Sequence, residues 1–372
     1  MHNFTPNYQI CSRCIMDTSD PGITFNHEGI CSHCLAYDEK MKSSNPISEV
    51  NHLIHKIKKE GKNKKYDCLI GMSGGVDSSY VAYLCHQHGL RPLVLHVDTG
   101  WDSELAVKNI EGLLKKLSFD LETIVIDWEE MRSLQLSYFK ASVANLDVPS
   151  DHAILASLFK IANKYGIKYI LSGSNLATEF ILPKAWGHSN RDLVNLKSIN
   201  QSFGKSRLKS YPKLGVVREA YFRTVKKIKL VNLLDYVEYN KEEAMKLLQA
   251  CAGWRDYLGK HFESKFTEFF QSYYLPKKFG YDKRRAHLSS LIISNQISRE
   301  EALNIMNTPP YVDEVLSPKK AYIAKKLGLN PQELDEIIDL PPKDNTHYKT
   351  STLLSKYSHH LIALKRKLSP TI

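Results

Sequence analysis

Residues 69–84, LIGMSGGVDSSYVAYL, run from an apolar stretch into Ser73-Gly74-Gly75 and then into a helix opened by Asp77 and Ser78. Glycines at 74 and 75 remove side-chain bulk and permit positive φ, so backbone N–H groups can close on an anion. The helix that follows adds the positive end of its dipole. A Walker-type loop would end in Gly-Lys-Ser/Thr, and this one carries no lysine. Asp77 repels the anion the loop attracts, unless a magnesium ion lies between them. Helix capping explains Asp77 or Ser78 singly and leaves the rest of the string unexplained.

Around this loop, KYDCLIG (65–71), RPLVLHVD (91–98), FDLETIVID (119–127) and GIKYILSG (166–173) read as short buried strands. Helical stretches at 77–88, 102–117, 128–140 and 151–165 alternate with them. That alternation predicts an α/β fold, a parallel sheet with helices on both faces. Ligands of such sheets bind beyond the carboxyl ends of the strands. Ser73–Ser78, Asp98–Asp102 and Gly173–Asn175 all fall there. From about 180 to 230 the pattern gives way to polar, basic loop, a length that suits a functional segment. Beyond 235 the chain reads as helices separated by Pro and Gly, a region expected to pack on the sheet. Three units are expected: residues 1–45, 46–235 and 236–372.

The first unit holds Cys11, Cys14, Cys31 and Cys34 in the spacing C-x2-C-x16-C-x2-C. Two such knuckles present four thiolates to one tetrahedral ion, and zinc is the expected occupant. An iron–sulfur cluster is the chemical alternative. Four cysteines fill the shell without His27 or His33, and leave no open position for a substrate. The site is therefore expected to serve folding or docking. Cys68, Cys85 and Cys251 sit in apolar or helical contexts and read as structural thiols.

The bulk numbers fit an ordinary globular protein of 372 residues, 42% hydrophobic and 24% charged. No apolar run is long enough to span a bilayer, and the amino terminus lacks the pattern of a signal peptide, so a cytoplasmic location is expected. A formal charge of +11 suits phosphorylated small molecules as well as nucleic acid. Five basic residues lie between Lys197 and Lys213, and Lys365–Lys367 form another cluster; solvated loop is the plain reading of both, and the favoured one for the second.

SGGVDSS resembles the PP-loop of the ATP pyrophosphatase superfamily, whose members include GMP synthetase, asparagine synthetase and tRNA-thiolating enzymes. The resemblance implies a Rossmann-like nucleotide domain that holds the β,γ-pyrophosphate of ATP in Ser73, Gly74, Gly75, Asp77 and Ser78, with magnesium on Asp77. Adenosine is then expected near Val97 and Asp98 and near the turn of Gly173, Ser174 and Asn175. A tighter likeness runs through CSRCIMDTSDPGITFNHEGICSHC, PSDHAIL, SGSNLATEFILP, GKHFESKFTEFFQ and LPKKFGYDKRRAHLSSLI, in that order. Together these resemble N-acetyl sugar amidotransferases of bacterial surface-polysaccharide pathways, which serve O-antigen and pseudaminic-acid-type sugars. Two positions depart from that pattern, Leu258 and Asn295, where glycine is expected.

The likeness implies conversion of an acetamido group on a nucleotide-linked sugar to an acetamidino group. The amide oxygen would be adenylated, and ammonia would displace AMP. With no lysine in the loop, phosphate-facing cations are expected from PKKFGYDKRR: Lys278 first, then Lys283 and Arg284. His261 and Glu263 are further catalytic candidates. Lys260, Asp151 and His152 are substrate candidates, although Asp151 also suits a helix start. Nothing here resembles a glutaminase. The likeness implies a separate glutaminase, with a cyclase-like subunit resembling those of histidine biosynthesis supplying ammonia. Two other readings stay open: a PP-loop tRNA thiolation enzyme, and a zinc-ribbon nucleic-acid-binding protein that uses its nucleotide fold for no chemistry. Against the first, no cysteine falls at a strand's carboxyl end; against the second, the loop string is intact and no aromatic–basic RNA signature occurs.

Overall fold

The computed structural model describes residues 8–42, 49–257 and 259–351. Leu258 and the Lys365–Lys367 cluster lie outside the described residues. Five strands, β1 (Cys68–Gly71), β2 (Pro92–Asp98), β3 (Asp120–Val125), β4 (Tyr169–Ser172) and β5 (Lys229–Asn232), form one sheet in the order β3-β2-β1-β4-β5. Every pairing is parallel. The chain builds outward from β1 to β2 and β3, then crosses over to lay β4 and β5 on the other side. The order therefore reverses between β1 and β4, where an open α/β sheet offers its ligand crevice.

Side chains along a strand alternate between faces. Cys68 and Ile70 of β1, with Val94 of β2, join the apolar layer under helices Val76–Gln87 and Glu104–Leu117. Leu69, Leu93, Leu95 and Val97 face the opposite layer, built on helices Trp128–Ala141 and Val148–Lys164. Both faces are thus covered, as all-parallel sheets require. The expected fold class holds, with the four-cysteine unit at one end and helices through the carboxyl-terminal region.

The expectation of a loop from 180 to 230 is corrected. Helices Leu193–Phe203 and Val216–Thr224 and strand β5 lie within it. Asp192 caps the first by accepting from the Asn195 N–H at 3.0 Å, and Leu196 and Ile199 bury one face. The basic stretch between these helices is organised from a distance. The Glu130 carboxylate accepts the N–H groups of Lys209, Ser210 and Tyr211 at 2.7–3.0 Å. Burial pushes that carboxyl up, and the three amides outweigh burial and hold it below its ordinary value.

Candidate active site

A cavity of about 740 Å³ opens at the carboxyl edge of the sheet. Ser73, Gly75, Asp77 and Ser78 line it after β1, Val97 near the end of β2, and Gly173 and Ser174 after β4. The loop is shaped by contacts that a local reading cannot reveal. Gly74 sits at φ 86°, and a Cβ there would meet the Ala106 carbonyl at 2.8 Å. Its own carbonyl accepts from Trp254 Nε1 and the Tyr257 hydroxyl, both at 2.9 Å. Gly173 is required by close approach: a Cβ would come within 2.8 Å of the Ser78 nitrogen. The end of β4 thereby abuts the start of helix Val76–Gln87, where the loop amides and the dipole converge.

Asp77 faces into the cavity and accepts a short hydrogen bond from the Tyr239 hydroxyl. Lys260 stands 3.8 Å from Asp77 and 3.0 Å from Glu179, and donates to the Thr178 hydroxyl at 2.9 Å. Lys241 also lines this end, and its ammonium makes no hydrogen bond to a described residue. Burial raises the Asp77 pKa, with Lys260 opposing. Burial, then Lys260, lowers that of Lys241. Asp77 and Glu179 flank Lys260 at this end; magnesium is usually held by one or two carboxylates together with substrate phosphates, and Asp77, at the loop, would be the protein ligand.

His261 adopts φ 63°, a conformation uncommon for a non-glycine residue. That strain sets its ring between Glu179 at 3.6 Å and Glu263 at 3.8 Å. Burial would lower the His261 pKa, and the neighbouring Glu263 carboxylate outweighs it and raises it. Glu263 in turn accepts from the Ser73 hydroxyl at 3.2 Å. Burial raises the Glu263 carboxyl, while His261 more than compensates and holds it low.

The far end of the cavity is formed by Asp147, Ser150 and Asp151 at the start of helix Val148–Lys164, with Lys283 and Trp186. Asp147 is buried and accepts from Thr267 at 3.1 Å. Burial and the neighbouring Asp147 push Asp151 up to about 7. Trp186 is fully buried against Tyr281, and its Nε1–H has no partner among the described residues.

Six expected residues are not cavity lining. Gly74 supports the loop from behind, as described. Asp98 accepts from the Gly100 N–H at 2.7 Å and shapes a turn. Asn175 caps the short helix Leu176–Glu179, accepting from Thr178 at 2.8 Å. His152 is buried, its Nε2 accepting from the Leu214 N–H at 3.1 Å and its Nδ1 bonded to the Asn190 carbonyl at 2.6 Å. Burial lowers its pKa, so it is a neutral structural ring. Lys278, the first choice for phosphate, donates instead to the carbonyls of Ile338 and Leu340; burial brings it down to about 8. Arg284 pairs with Asp282 at 2.6 Å and with the Thr308 carbonyl at 3.1 Å. Both basic side chains satisfy carboxyl-terminal helix ends and turns, as cations commonly do. Only Lys283 of that trio reaches the cavity.

Glu179, Tyr239, Lys241, Asp147, Trp254 and Tyr257 were missed. Glu179 lay within SGSNLATEFILP, where a carboxylate beside a polar turn was a usable signal. The others come together only through the crossover between β1 and β4 and the return of the carboxyl-terminal helices.

The four cysteines meet as expected. All are fully buried, with sulfurs within 4.8 Å of one another. Cys11 and Cys34 stand 3.9 Å apart and Cys14 and Cys31 3.7 Å. Four sulfurs about 2.3 Å from one tetrahedral ion would stand about 3.8 Å apart. A disulfide would require about 2.05 Å. The N–H groups of Arg13, Cys14 and Cys31 point at Cys11 Sγ at 3.3–3.4 Å, as suits a thiolate. The donor set fits a single metal ion. His33 is bonded to Asp20 at 2.7 Å and His27 is exposed, so neither is needed.

Residues 47–212 match the family model for NAD synthase, and residues 263–361 match that described as LPS biosynthesis protein WbpG-like, C-terminal domain. The chain is a PP-loop protein with a WbpG-like carboxyl-terminal domain. This PP-loop protein is 31% identical over 121 residues to the tRNA-specific 2-thiouridylase MnmA 2 of Fusobacterium nucleatum subsp. nucleatum. The match covers 30% of this chain and about a third (34%) of that relative's length. Among solved structures, the NH3-dependent NAD synthetase of Campylobacter jejuni subsp. jejuni in complex with nitrate is 15% identical with a TM-score of 0.30, over 58% of this chain and 97% of that one. The U34-tRNA thiolase NcsA of Methanococcus maripaludis, with its 4Fe-4S cluster, is 14% identical with a TM-score of 0.30, over 88% of each chain. None of the described helices is long and apolar enough to cross a membrane.

Proposed function

We infer that this protein is an ATP-dependent, AMP-forming amidotransferase of surface-polysaccharide biosynthesis, converting an acetamido group of a nucleotide-linked sugar to an acetamidino group. One observation carries the reading. Glu263, Thr267 and Lys283, from the WbpG-like part, line the same cavity as the PP-loop residues Ser73–Ser78. A nucleotide-activating end and an acceptor end within one cavity suit a reaction that joins ATP to a second substrate.

In this reading the loop amides, Lys241 and Lys260 hold the β,γ-phosphates of ATP. Magnesium on Asp77 would supply charge neutralisation there. The acetamido oxygen attacks the α-phosphorus and pyrophosphate leaves, giving an O-adenylyl imidate. Ammonia then adds to the imidate carbon, AMP departs with the oxygen, and loss of a proton leaves the amidine. An amide oxygen is a poor leaving group, and exchange for AMP is what makes displacement feasible. The protein's share is positioning and stabilisation of phosphate charge. His261, set between Glu179 and Glu263, offers a proton-bearing group at the join of the two ends. Asp147, Asp151 and Lys283 would orient the sugar.

Zinc is the ion we assign to the four cysteines, on the chemistry of an all-thiolate tetrahedral shell. A structural site of this kind leaves no ligand position for substrate. A separate glutaminase with a cyclase-like subunit is proposed as the ammonia source. Turnover of glutamine by the purified chain at the rate seen with ammonium salt would contradict that proposal.

A tRNA thiolation enzyme is the second reading, favoured by the partial match to a 2-thiouridylase. No cysteine lines the cavity among the described residues, and Cys68 and Cys85 are fully buried in the sheet and its helix. ATP, magnesium and ammonium salt with a panel of UDP-N-acetyl sugars separate the two. Sugar-dependent AMP release supports amidination; release that requires tRNA and a sulfur donor supports thiolation.

A further inference from the structure

Helix Lys283–Ile293 lies between the four-cysteine unit and the cavity wall Leu176–Trp186, and two adjacent buried serines bond one to each side. Ser289 Oγ accepts from the N–H of Ile15, next to Cys14, at 3.2 Å. Ser290 Oγ accepts from the N–H of Ile181 in the wall at 3.1 Å. The attachment is reinforced on each flank. Arg285 donates to the Ile15 carbonyl at 2.6 Å and pairs with Asp17 at 3.2 Å. Arg299 donates to the carbonyls of Cys11 and Cys14 at 3.1 and 3.0 Å. On the wall side, His287 bonds to the Thr178 carbonyl at 3.1 Å and Ser294 donates to that of Ala177 at 2.8 Å.

The cysteines, Ile181, Trp186, Ala286 and Ile293 also share one apolar cluster, so the metal knuckles and the wall are packed as a unit. The wall matters to the site. Thr178 and Glu179 hold Lys260, and Trp186 lines the far end. Closely packed interiors transmit displacement rather than absorb it. The carbonyls that Arg299 and Arg285 grip, those of Cys11, Cys14 and Ile15, belong to the first knuckle itself, so the ion and the helix hold the same turn.

We propose that metal loading at the four cysteines sets the position of the Leu176–Trp186 wall, with Ser289 and Ser290 as the positioning residues that carry the constraint across the helix. The metal unit then acts on the acceptor end of the cavity and, through Thr178, Glu179 and Lys260, on the phosphate position, while the loop backbone, which hangs from β1, Trp254 and Tyr257, keeps its place. The effect on sugar affinity rests on the functional reading above; the effect on the wall does not.

Hydrogen exchange read by mass spectrometry on the full, metal-loaded chain tests the wall without any substrate. Chelation should speed exchange in peptides spanning 176–187 and leave those of β1 and helix Val76–Gln87 unchanged. Ser290→Ala, at full metal content, should speed exchange at Ile181 by about fivefold, the equivalent of one lost hydrogen bond. Unchanged exchange in the wall after either treatment overturns the proposal. In kinetics, Ser290→Ala should raise KM for the sugar nucleotide severalfold, and through Lys260 that for ATP as well, while kcat stays within about twofold. Equal losses in all three parameters would instead mark a general weakening and contradict it. If the wild-type chain releases no AMP with any sugar nucleotide, the functional reading fails, and the exchange result still decides the wall.

Discussion

The Ser73 hydroxyl donates to Glu263 Oε1 at 3.2 Å. This bond ties the phosphate loop to the first residue of the WbpG-like part. Glu263 also faces His261 at 3.8 Å, so one carboxylate meets both the loop and the imidazole. Glu263→Gln keeps the size of the side chain and removes its charge. It should lower kcat by about 10² or more while leaving the melting temperature within a few degrees, if the carboxylate acts on reacting charge. A variant that retains full kcat would restrict Glu263 to packing.

Asp77→Asn should abolish AMP formation and leave the denaturant midpoint unchanged or raised. Burial raises the Asp77 pKa in the folded chain, so the charged carboxylate costs stability there. A magnesium titration of ATP binding checks the cause: the variant should lose its metal dependence. Full activity in Asp77→Asn would refute the magnesium role.

Lys283 and Lys278 should separate cleanly. Lys283→Ala removes a cavity cation and should lower kcat/KM by roughly 10–100-fold. Lys278→Ala removes two bonds to helix-end carbonyls. It should cost on the order of 1–2 kcal/mol in unfolding free energy with little loss of kcat. The reverse pattern would restore Lys278 as the phosphate ligand.

This pair also shows how far the sequence could be read. The loop, the strand–helix alternation and the cysteine spacing are local signals, and each led to the right element. Asp151, Lys260, His261 and Glu263 were legible because a polar string interrupted apolar segments. Lys278 and Lys283 stand in one basic string, and only the helix turn at Gly280 and Asp282 decides which reaches the cavity. Residues 180–230 read as loop, and within them the turn at 209–211 is held by Glu130, which lies far away in sequence. Tyr239 and Lys241 carry no local mark at all; the fold brings them to Asp77.

Asp151 predicts a pH effect on stability. Its pKa is about 7 when folded and about 3.9 when unfolded. Between those values the folded chain holds a proton that the unfolded chain has released, so stability falls as pH rises from about 4 to about 7. Asp151→Asn removes that fall. It should stabilise the chain at pH 8 by on the order of 1 kcal/mol, less than the full shift because cavity water screens the group. The gap should close near pH 4. Denaturant unfolding at both pH values checks this, and an equal gap at both would contradict it.

Cys31→Ser leaves three thiolates in the knuckles. Metal content by plasma mass spectrometry should fall well below the one ion per chain expected of the parent. The melting temperature should fall with it, since binding and folding of such a unit are one process. Full metal content in the variant would contradict a four-thiolate shell.

The most direct measurement is mass spectrometry of the sugar product after incubation with ATP, magnesium, ammonium salt and UDP-N-acetyl sugars. The account predicts, for at least one sugar, the mass change of replacing an amide oxygen with NH, together with one AMP and one pyrophosphate per product. AMP formed without that sugar product, or formed only when tRNA and a sulfur donor are present, would contradict it.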